Sequence, residues 1–398
     1  MSNTVALGEI AEINPRLRNR PQLGDFVSFL GMADVDAEYG TTSKGSSKEF
    51  GEVAKGYTQF ENGDILVAKI TPCFENGKIA QAVLNEEKGA GSTEFHVVRP
   101  DPAQLDNRYL LHFLRQPYIR IAGERRMTGS GGQRRVPETY ISHLEVRLPE
   151  LGEQRRIAEV LDRVDELRAK RRQSIALLDD LAQSIFLDMF GDPTRNSMGW
   201  PESTLGELGI LDRGVSKHRP RNDPALLGGQ YPLIQTGDVA QSGGYIENYS
   251  STYSELGLKQ SRMWPKGTLC ITIAANIAKS GLLEFEACFP DSVVGFTADP
   301  GTVEYVRGWL SIVRESIERL APESAQKNIN LRILRGLPIP HPPAGEIATY
   351  ANRIASIRLL ALSHREGLAE LDTLFASTQA RAFKGDLWKD DPNNQEGE

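Results

Sequence analysis

Residues 153–190 read EQRRIAEVLDRVDELRAKRRQSIALLDDLAQSIFLDMF. Alternate steps of four and three from Ile157 give Ile157, Leu161, Val164, Arg168, Arg171, Ile175, Leu178, Ala182, Ile185 and Met189. Eight of these ten are apolar or Ala. A seam of that period, sustained this long, is the pattern of a helix that packs lengthwise on another helix. The same steps from Tyr350 give Tyr350, Ile354, Ile357, Ala361, His364, Leu368, Leu371, Phe375, Thr378 and Ala382, again with eight apolar or Ala. Gly191-Asp192-Pro193 stops the first pattern and Lys384-Gly385-Asp386 the second, in the places where helix stops fall. The expectation is two long helices that pair, antiparallel, as a spacer between globular parts. The 38 residues of 153–190 would make a rod of roughly 57 Å.

The surrounding sequence is an internal repeat, which such a pair requires. Leu7-Gly8-Glu9-Ile10 returns as Leu205-Gly206-Glu207-Leu208, Asp34-Val35 as Asp238-Val239, and residues 62–66 as 266–270. Leu148-Pro149 and Ile339-Pro340 each precede a long helix, and Phe190 matches Phe383. The fold class expected is α+β: two mixed α/β domains and a helical pair, with internal pseudo-two-fold repeat. The boundaries are 1–149, 150–192, 193–341 and 342–389, with a disordered tail over 390–398. Strands are expected at Ile65–Ala68, Glu94–Val98, Leu269–Ala274 and Val293–Phe296, and helices at Tyr109–Ile121 and Val303–Leu320.

Composition bounds the function. The 398 residues carry a net charge of −7. Residues 1–150 hold 18 basic and 20 acidic side chains, and residues 193–345 hold 15 of each. Neither half is a strongly basic module of the kind that binds nucleic acid unaided. Local basic clusters exist at Arg120, Arg125, Arg126, Arg134 and Arg135, and at Lys217, His218, Arg219 and Arg221. A chain so balanced would draw phosphate contacts from a partner. Cys73, Cys270 and Cys288 are odd in number and far apart, which fits a reducing cytoplasm and buried thiols, with no metal site. No apolar run is long enough to span a membrane, and the opening MSNTVALGEIAEINP lacks the pattern of a secretory leader.

Catalytic signatures are missing. Asn14-Pro15-Arg16, Asp101-Pro102-Ala103, Asp223-Pro224-Ala225 and Asp299-Pro300-Gly301 lack the second proline and the aromatic of an adenine methyltransferase loop. No glycine-rich phosphate loop precedes a Lys-Ser or Lys-Thr pair. Six scattered histidines form no ligand pair. The chain is therefore expected to hold no catalytic residue and no cofactor. An enzyme with an unrecognised site, and a two-headed scaffold that binds protein, are the competing readings.

The run from Leu148 through Gln154-Arg155-Arg156-Ile157-Ala158 to Phe190-Gly191-Asp192 resembles the first conserved region of type I restriction–modification specificity subunits (the HsdS family). Ala382-Phe383-Lys384-Gly385-Asp386-Leu387 resembles the close of the second. Ile70-Thr71-Pro72-Cys73, Glu75-Asn76-Gly77-Lys78, Ser92-Thr93-Glu94-Phe95 and Gly129 to Val136 resemble one recognition-domain subfamily. Gly214 to Arg221, Gln235 to Val239, Ala274 to Ile277 and Phe289 to Val294 resemble another. The second long helix departs from the pattern, since Gly345-Glu346-Ile347 lacks Gln-Arg-Arg after the Glu.

The resemblance implies a DNA-reading subunit without chemistry of its own. Each domain would read one part of a split, asymmetric double-stranded DNA site. The helices would fix the unread spacer and dock two methyltransferase subunits, which bring S-adenosylmethionine and methylate adenine at N6. Two restriction subunits would add ATP- and Mg-dependent cleavage. Arg and Lys read guanine, and Asn and Gln adenine, by paired hydrogen bonds at groove edges. The candidate readers are Lys69, Thr71, Asn76 and Lys78, and Gln133, Arg134 and Arg135 in the glycine-rich loop. In the second half they are Ser216, Lys217, His218 and Arg219, then Asn276, Lys279, Gln326, Lys327 and Asn328. Apolar seam positions would be core of the helix pair, leaving flanking residues such as Phe186 and Phe375 for partner contact.

Overall fold

The computed structural model describes residues 4–130, 132–274, 277–320 and 329–388. The chain forms two units, Met1–Gln173 with Arg365–Glu398, and Ser174–His364.

The first unit begins β1 (Thr4–Ala6), α1 (Leu7–Ile10), β2 (Ala11–Ile13), β3 (Phe26–Leu30), β4 (Val35–Asp36), β5 (Thr41–Thr42), β6 (Ser46–Glu49) and α2 (Phe50–Val53). It continues β7 (Thr58–Glu61), β8 (Ile65–Ala68), β9 (Ile79–Gln81), β10 (Lys88–Gly91), β11 (Phe95–Pro100), α3 (Asn107–Leu114), α4 (Pro117–Glu124), α5 (Glu138–Ser142) and β12 (Glu145–Arg147). The long helix α6 (Leu151–Phe190) follows, and its residues 151–173 belong here. One sheet has the order β2-β11-β8-β9-β5-β4 and the other β6-β3-β10-β7.

The central strand β8 explains the layering. All four of its residues are buried, and strand side chains alternate between faces. Ile65 and Val67 enter the cluster that contains Tyr109, Leu110 and Phe113 of α3. Leu66, between them, enters the cluster shared with Leu30 of β3 and Phe60 of β7. The order is thus helices, sheet, sheet, with α2 closing the far side through Phe50 and Val53.

The second unit repeats this plan. Its elements are β13 (Glu202–Thr204), α7 (Leu205–Leu208), β14 (Ile210–Arg213), β15 (Leu227–Leu233), α8 (Thr236–Gln241), β16 (Tyr245–Ile246), β17 (Ser251–Tyr253) and α9 (Glu255–Lys259). Then come β18 (Met263–Trp264), β19 (Leu269–Thr272), β20 (Ser280–Leu283), β21 (Ala287–Cys288), β22 (Val293–Thr297), α10 (Pro300–Leu320), α11 (Leu331–Arg335), β23 (Pro338–Pro340) and α12 (Ala344–Lys384). The sheets run β14-β22-β19-β20-β16 and β17-β15-β21-β18. Strand for strand, these match β2-β11-β8-β9-β5 and β6-β3-β10-β7. The parallel pairs match as well, β5 with β9 and β3 with β10, against β16 with β20 and β15 with β21. In β19, Leu269 and Ile271 face the helices while Cys270 faces the other sheet. Burial pushes the Cys270 thiol far above its ordinary value, so it is a small core side chain.

The long helices pack on one another inside each unit. In the first, Arg156 lies over the Trp388 ring, Arg168 Nε donates to Asp372 Oδ1 at 2.6 Å, and the Arg171 guanidinium lies against Gly367. Rising numbers on α6 meet falling numbers on α12, so the helices are antiparallel. In the second unit the Phe186 and Phe190 rings meet that of Tyr350, and Ala182 and Ile185 share a cluster with Ile354 and Ile357. None of the twenty seam positions is exposed. Gly191 and Gly385, just past the two helix ends, take φ of 74° and 80°, the left-handed conformation that glycine adopts without strain.

One expectation is corrected. The helix foreseen over Tyr109–Ile121 is two helices, α3 and α4, parted at Arg115 and Gln116. Pro117 disfavours helical geometry in the residue before it, and Gln116 is extended, with ψ of 133°.

Candidate nucleic-acid interface

In the first unit the residues after β8 meet a hairpin built on the glycine-rich loop. Thr128 and Arg135 exchange backbone bonds at 3.0 and 2.8 Å. Thr71 N–H donates to the Arg134 carbonyl at 2.9 Å, and Val136 N–H to the Lys69 carbonyl at 2.9 Å. Gly129, with φ of 123°, turns the hairpin, where a Cβ would strike the Gln133 carbonyl at 2.7 Å. His96 Nε2, 2.9 Å from the Val136 carbonyl, ties the base of the hairpin to β11. Five foreseen residues, Lys69, Thr71, Gln133, Arg134 and Arg135, are thereby brought together.

Carboxylates already hold part of this cluster. Arg135 donates two bonds to Glu94, Nε to Oε2 at 2.8 Å and Nη2 to Oε1 at 2.7 Å. That two-point bond, with Lys69 nearby, holds the Glu94 carboxyl below its ordinary range. Arg134 Nη2 lies 3.6 Å from Glu75 Oε1, which accepts from the Thr71 hydroxyl at 2.7 Å. Gln133 is exposed. Two more foreseen residues stand apart. Asn76 is exposed on the turn before β9, and the Lys78 ammonium is turned inward, donating to the Met32 and Val35 carbonyls at 2.7 and 3.2 Å. Lys78 is therefore a fastener of that turn, contrary to its expected role as a reader.

The second unit offers the loop between β14 and β15. Gln260 Oε1 accepts from the Lys217 and His218 amides at 2.6 and 3.1 Å. His218 Nε2 lies 3.0 Å from Asp223 Oδ2. Arg219 reaches back to the Ser216 carbonyl at 2.6 Å, and it shares the Asp291 carboxylate with Arg221. Lys217 is exposed, whereas Ser216 is buried with its hydroxyl unpaired. Lys279 is half-buried beside β20. Matching backbone bonds are present here too. Ile273 N–H donates to the Ser292 carbonyl and Ile329 N–H to the Ile273 carbonyl, both at 3.0 Å, as Lys69 and Val136 do with Glu94 and Lys69 in the first unit. Gln326, Lys327 and Asn328 precede Ile329 as Gln133, Arg134 and Arg135 precede Val136. These three and Asn276 lie outside the described residues, as does the tail over 390–398.

The family model of the type I restriction modification DNA specificity domain matches residues 2–177 and 198–357. The chain belongs to that family. The specificity subunit of the type I restriction enzyme EcoEI of Escherichia coli is 37% identical over 180 residues, 44% of this chain and 30% of that one. The EcoAI specificity subunit of the same organism is 38% identical over 178 residues, with the same shares. The chain thus spans less than a third of the length of these two relatives. The crystal structure of a type I restriction–modification S subunit from M. genitalium matches with a TM-score of 0.58 at 15% identity, over 96% of each chain. That likeness is one of fold.

Within this specificity-domain fold the partner expectation for Phe186 fails. Its side chain is 1% exposed and stacks on Tyr305 at 5.5 Å, with Phe190 and Tyr350 on its edges. At this point α6 faces the core of the second unit, so the position just off the seam is the most buried one. Phe375 is half-buried, between the Arg168 guanidinium and the His112 ring. Among the described residues the large exposed apolar side chains on the long helices are instead Leu167, Leu177, Leu181 and Leu187 on α6 and Leu359, Leu360 and Leu374 on α12. Leu359 and Leu362 line a groove of about 960 Å³ in the second unit with Ala348, Ala351 and Ala355. No group of His, Cys, Asp or Glu among the described residues could hold a metal ion. No helix among them is long and apolar enough to cross a membrane.

Proposed function

We propose that the chain is the DNA-reading subunit of a type I restriction–modification complex, without catalytic residues of its own. The observation that carries this reading is the doubled plan: two units of one topology, each with a loop-borne cluster of hydrogen-bond donors, beside β8 in the first and between β14 and β15 in the second. The assignment is residues 1–149 and 193–341 as target recognition domains, and 150–192 and 342–389 as the spacer helices. Gln133, Arg134 and Arg135, with Lys69 and Thr71, would meet one half-site. Lys217, His218 and Arg219, with Gln326, Lys327 and Asn328, would meet the other.

Methyltransferase subunits, two by the doubled plan, would dock on the helix pair and supply S-adenosylmethionine. Restriction subunits would supply ATP- and Mg-dependent cleavage. Leu359, which lines the apolar groove of the second unit, and its exposed neighbour Leu360 suit such docking, because outward apolar patches mark interaction surfaces. A cytoplasmic site of action follows, where DNA and these partners are.

Long-read methylation mapping of host DNA, with and without this gene beside its methyltransferase, tests the reading. Loss of a split motif carrying N6-methyladenine on both strands supports it and yields both half-sites. An unchanged methylome with the partners expressed sinks it. The near balance of charge in both units favours a second reading, a scaffold that grips protein with both heads. A complex that forms with the methyltransferase yet shifts no duplex would mark that outcome.

A further inference from the structure

The one-to-one topology assigns a second DNA contact that the sequence motifs pass over. The loop between β14 and β15 carries Lys217, His218, Arg219 and Arg221. Its counterpart, between β2 and β3, carries Arg16, Arg18 and Arg20. Both loops leave the edge strand of the five-stranded arrangement, the second after two further residues of pairing. Ile13 pairs with Val98, Leu211 with the matching Phe296, and Arg213 with Val294. The next residue then donates in each case, Asn14 N–H to the Val97 carbonyl at 2.7 Å and Gly214 N–H to the Val293 carbonyl at 2.9 Å. We infer that Arg16, Arg18 and Arg20 form the phosphate-gripping loop of the first unit, equivalent to Lys217–Arg221 in the second. This inference rests on the DNA-reading function proposed above.

Three observations point the same way. First, the loop backbone is held from beneath while its side chains are not. Arg99, buried and bonded twice to Asp64 at 2.8 and 2.7 Å, also donates to the Arg16 carbonyl at 3.3 Å. Glu61, itself 3.4 Å from Arg99, accepts from the Arg18 amide at 2.8 Å. A loop fixed this way presents its charges with little left to order on binding.

Second, the three guanidiniums are exposed. Arg16 has no ion-pair partner among the described residues. Arg18 has only the exposed Glu12, at 2.9 Å. Arg20 leans over the Phe50 ring at 5.5 Å. By contrast Arg135 and Lys78, foreseen as readers, are engaged by Glu94 and by carbonyls. The first unit therefore gathers three loosely engaged cations on this loop.

Third, a polar recess of about 570 Å³ opens beside the loop, lined by Asn14, Arg16 and Arg20 with Tyr57 and Gln59. A smaller one, about 250 Å³, opens beside the matching loop with Ser216, Arg221 and Asn222. Regularly spaced arginines without shape-specific pairing partners fix register on the phosphates and carry no base identity.

The test compares the full chain with its Arg16→Ala/Arg18→Ala/Arg20→Ala and triple Arg→Lys variants, each assembled with the methyltransferase subunits. Binding is measured by anisotropy across a chloride titration, on a duplex bearing the mapped motif and on one of arbitrary sequence. The alanine variant should lose affinity on both duplexes, on the order of 10- to 100-fold, and its log–log salt slope should flatten by about 2 to 3. The lysine variant should keep the wild-type slope, and the methylated motif should not change. Wild-type affinity and slope in the alanine variant overturn the inference and leave the DNA-reading function standing. So does a loss confined to the motif duplex, which would make the loop a base reader. If the wild-type complex binds neither duplex, the proposed function itself fails, and this inference with it.

Discussion

The Phe383 ring lies 4.9 Å from that of Tyr109, and the Phe190 ring lies 4.9 Å from that of Tyr305. The tyrosine hydroxyls donate to the carbonyls of Arg147, at 2.8 Å, and Pro340, at 2.6 Å. Each long helix thus ends by seating a phenylalanine against an equivalent tyrosine. Phe190→Ala should cost about 3–5 kcal/mol of stability and the more accessible Phe383→Ala the lower end of that range or less. Denaturant unfolding of the full chain reads both. Near-wild-type midpoints for the pair would mean that these rings do not lock the helix ends.

The seam has a charged centre that should respond asymmetrically. Arg168 bonds to Asp165 on its own helix and to Asp372 on the other. Asp165 is 12% exposed and Asp372 45%. Arg168→Ala takes one of two partners from the more buried carboxylate, leaving it Arg115 at 3.1 Å, and should cost about 1.5–3 kcal/mol, the contribution of a hydrogen bond to a charged group. Asp372→Ala leaves Arg168 its other partner and should cost under about 1 kcal/mol. Equal costs in urea titrations would contradict this account.

Partner docking separates from stability along the helices. Leu359 is 69% exposed, so Leu359→Asp should move the melting temperature by no more than about 2 °C while weakening copurification with the methyltransferase subunit. Phe186→Ala should do the reverse at the level of the chain, costing about 3–5 kcal/mol. A Leu359→Asp chain that copurifies undiminished would remove the groove on α12 from the docking surface.

Base reading falls to the hairpin. Arg135→Ala should relax the methylated motif at one position, with a loss of about 1–3 kcal/mol against the preferred base. Methylome mapping of the variant gives the answer directly. An unchanged motif would reassign Arg135 to holding Glu94.

Acid should weaken the first unit before it reaches the carboxylate range. His112 and His96 are buried, and burial is the leading cause that lowers both imidazoles below their ordinary value. His112 Nε2 donates to Asp162 Oδ1 at 2.7 Å. Burial alone would raise Asp162, but the bonds from His112 and Arg108 outweigh it and hold the carboxyl down to about 2. Folded histidines that resist protonation contribute stability fully above about pH 6.5, and it is lost as pH falls toward their folded values. Asp162 adds a second loss only from about pH 4 downward. Melting temperature should therefore drop between about pH 7.5 and 5, and a His96→Gln/His112→Gln chain should show a flatter profile. A flat profile in the wild type would contradict the burial argument.

Much of this fold is legible in the residues. The four-and-three seams mark both helices because the period of burial is written in the side chains themselves. The halves align at Leu7 and Leu205 because each needs the same short helix between the same two strands. What escapes is set by side chains that meet only in three dimensions. Nothing near Arg135 or Lys78 in the chain announces that Glu94, Met32 and Val35 will engage them. Phe186 sits one step off the seam, and only the second unit's core makes that step an inward one. The Arg16–Arg20 loop is recoverable as well, since alignment of the halves on Leu7 and Leu205 sets it against Gly214–His218, where the second basic loop begins.

The first unit is assembled from two stretches of chain, Met1–Gln173 and Arg365–Glu398, whereas the second is one continuous stretch. Ala382 is buried in the first unit's core, with Phe383, Leu387 and Trp388 packed against it. Synthesis proceeds from the N-terminus, so the second unit has its whole sequence in hand while the first still lacks the last pieces of its core. The half made earliest is thus the half completed last, and it must wait on the ribosome with its helix-binding surface uncovered. A prematurely terminated chain would carry a finished second unit and an open first one, so that exposed core is the mark by which cellular proteolysis could tell an incomplete reader from a whole one.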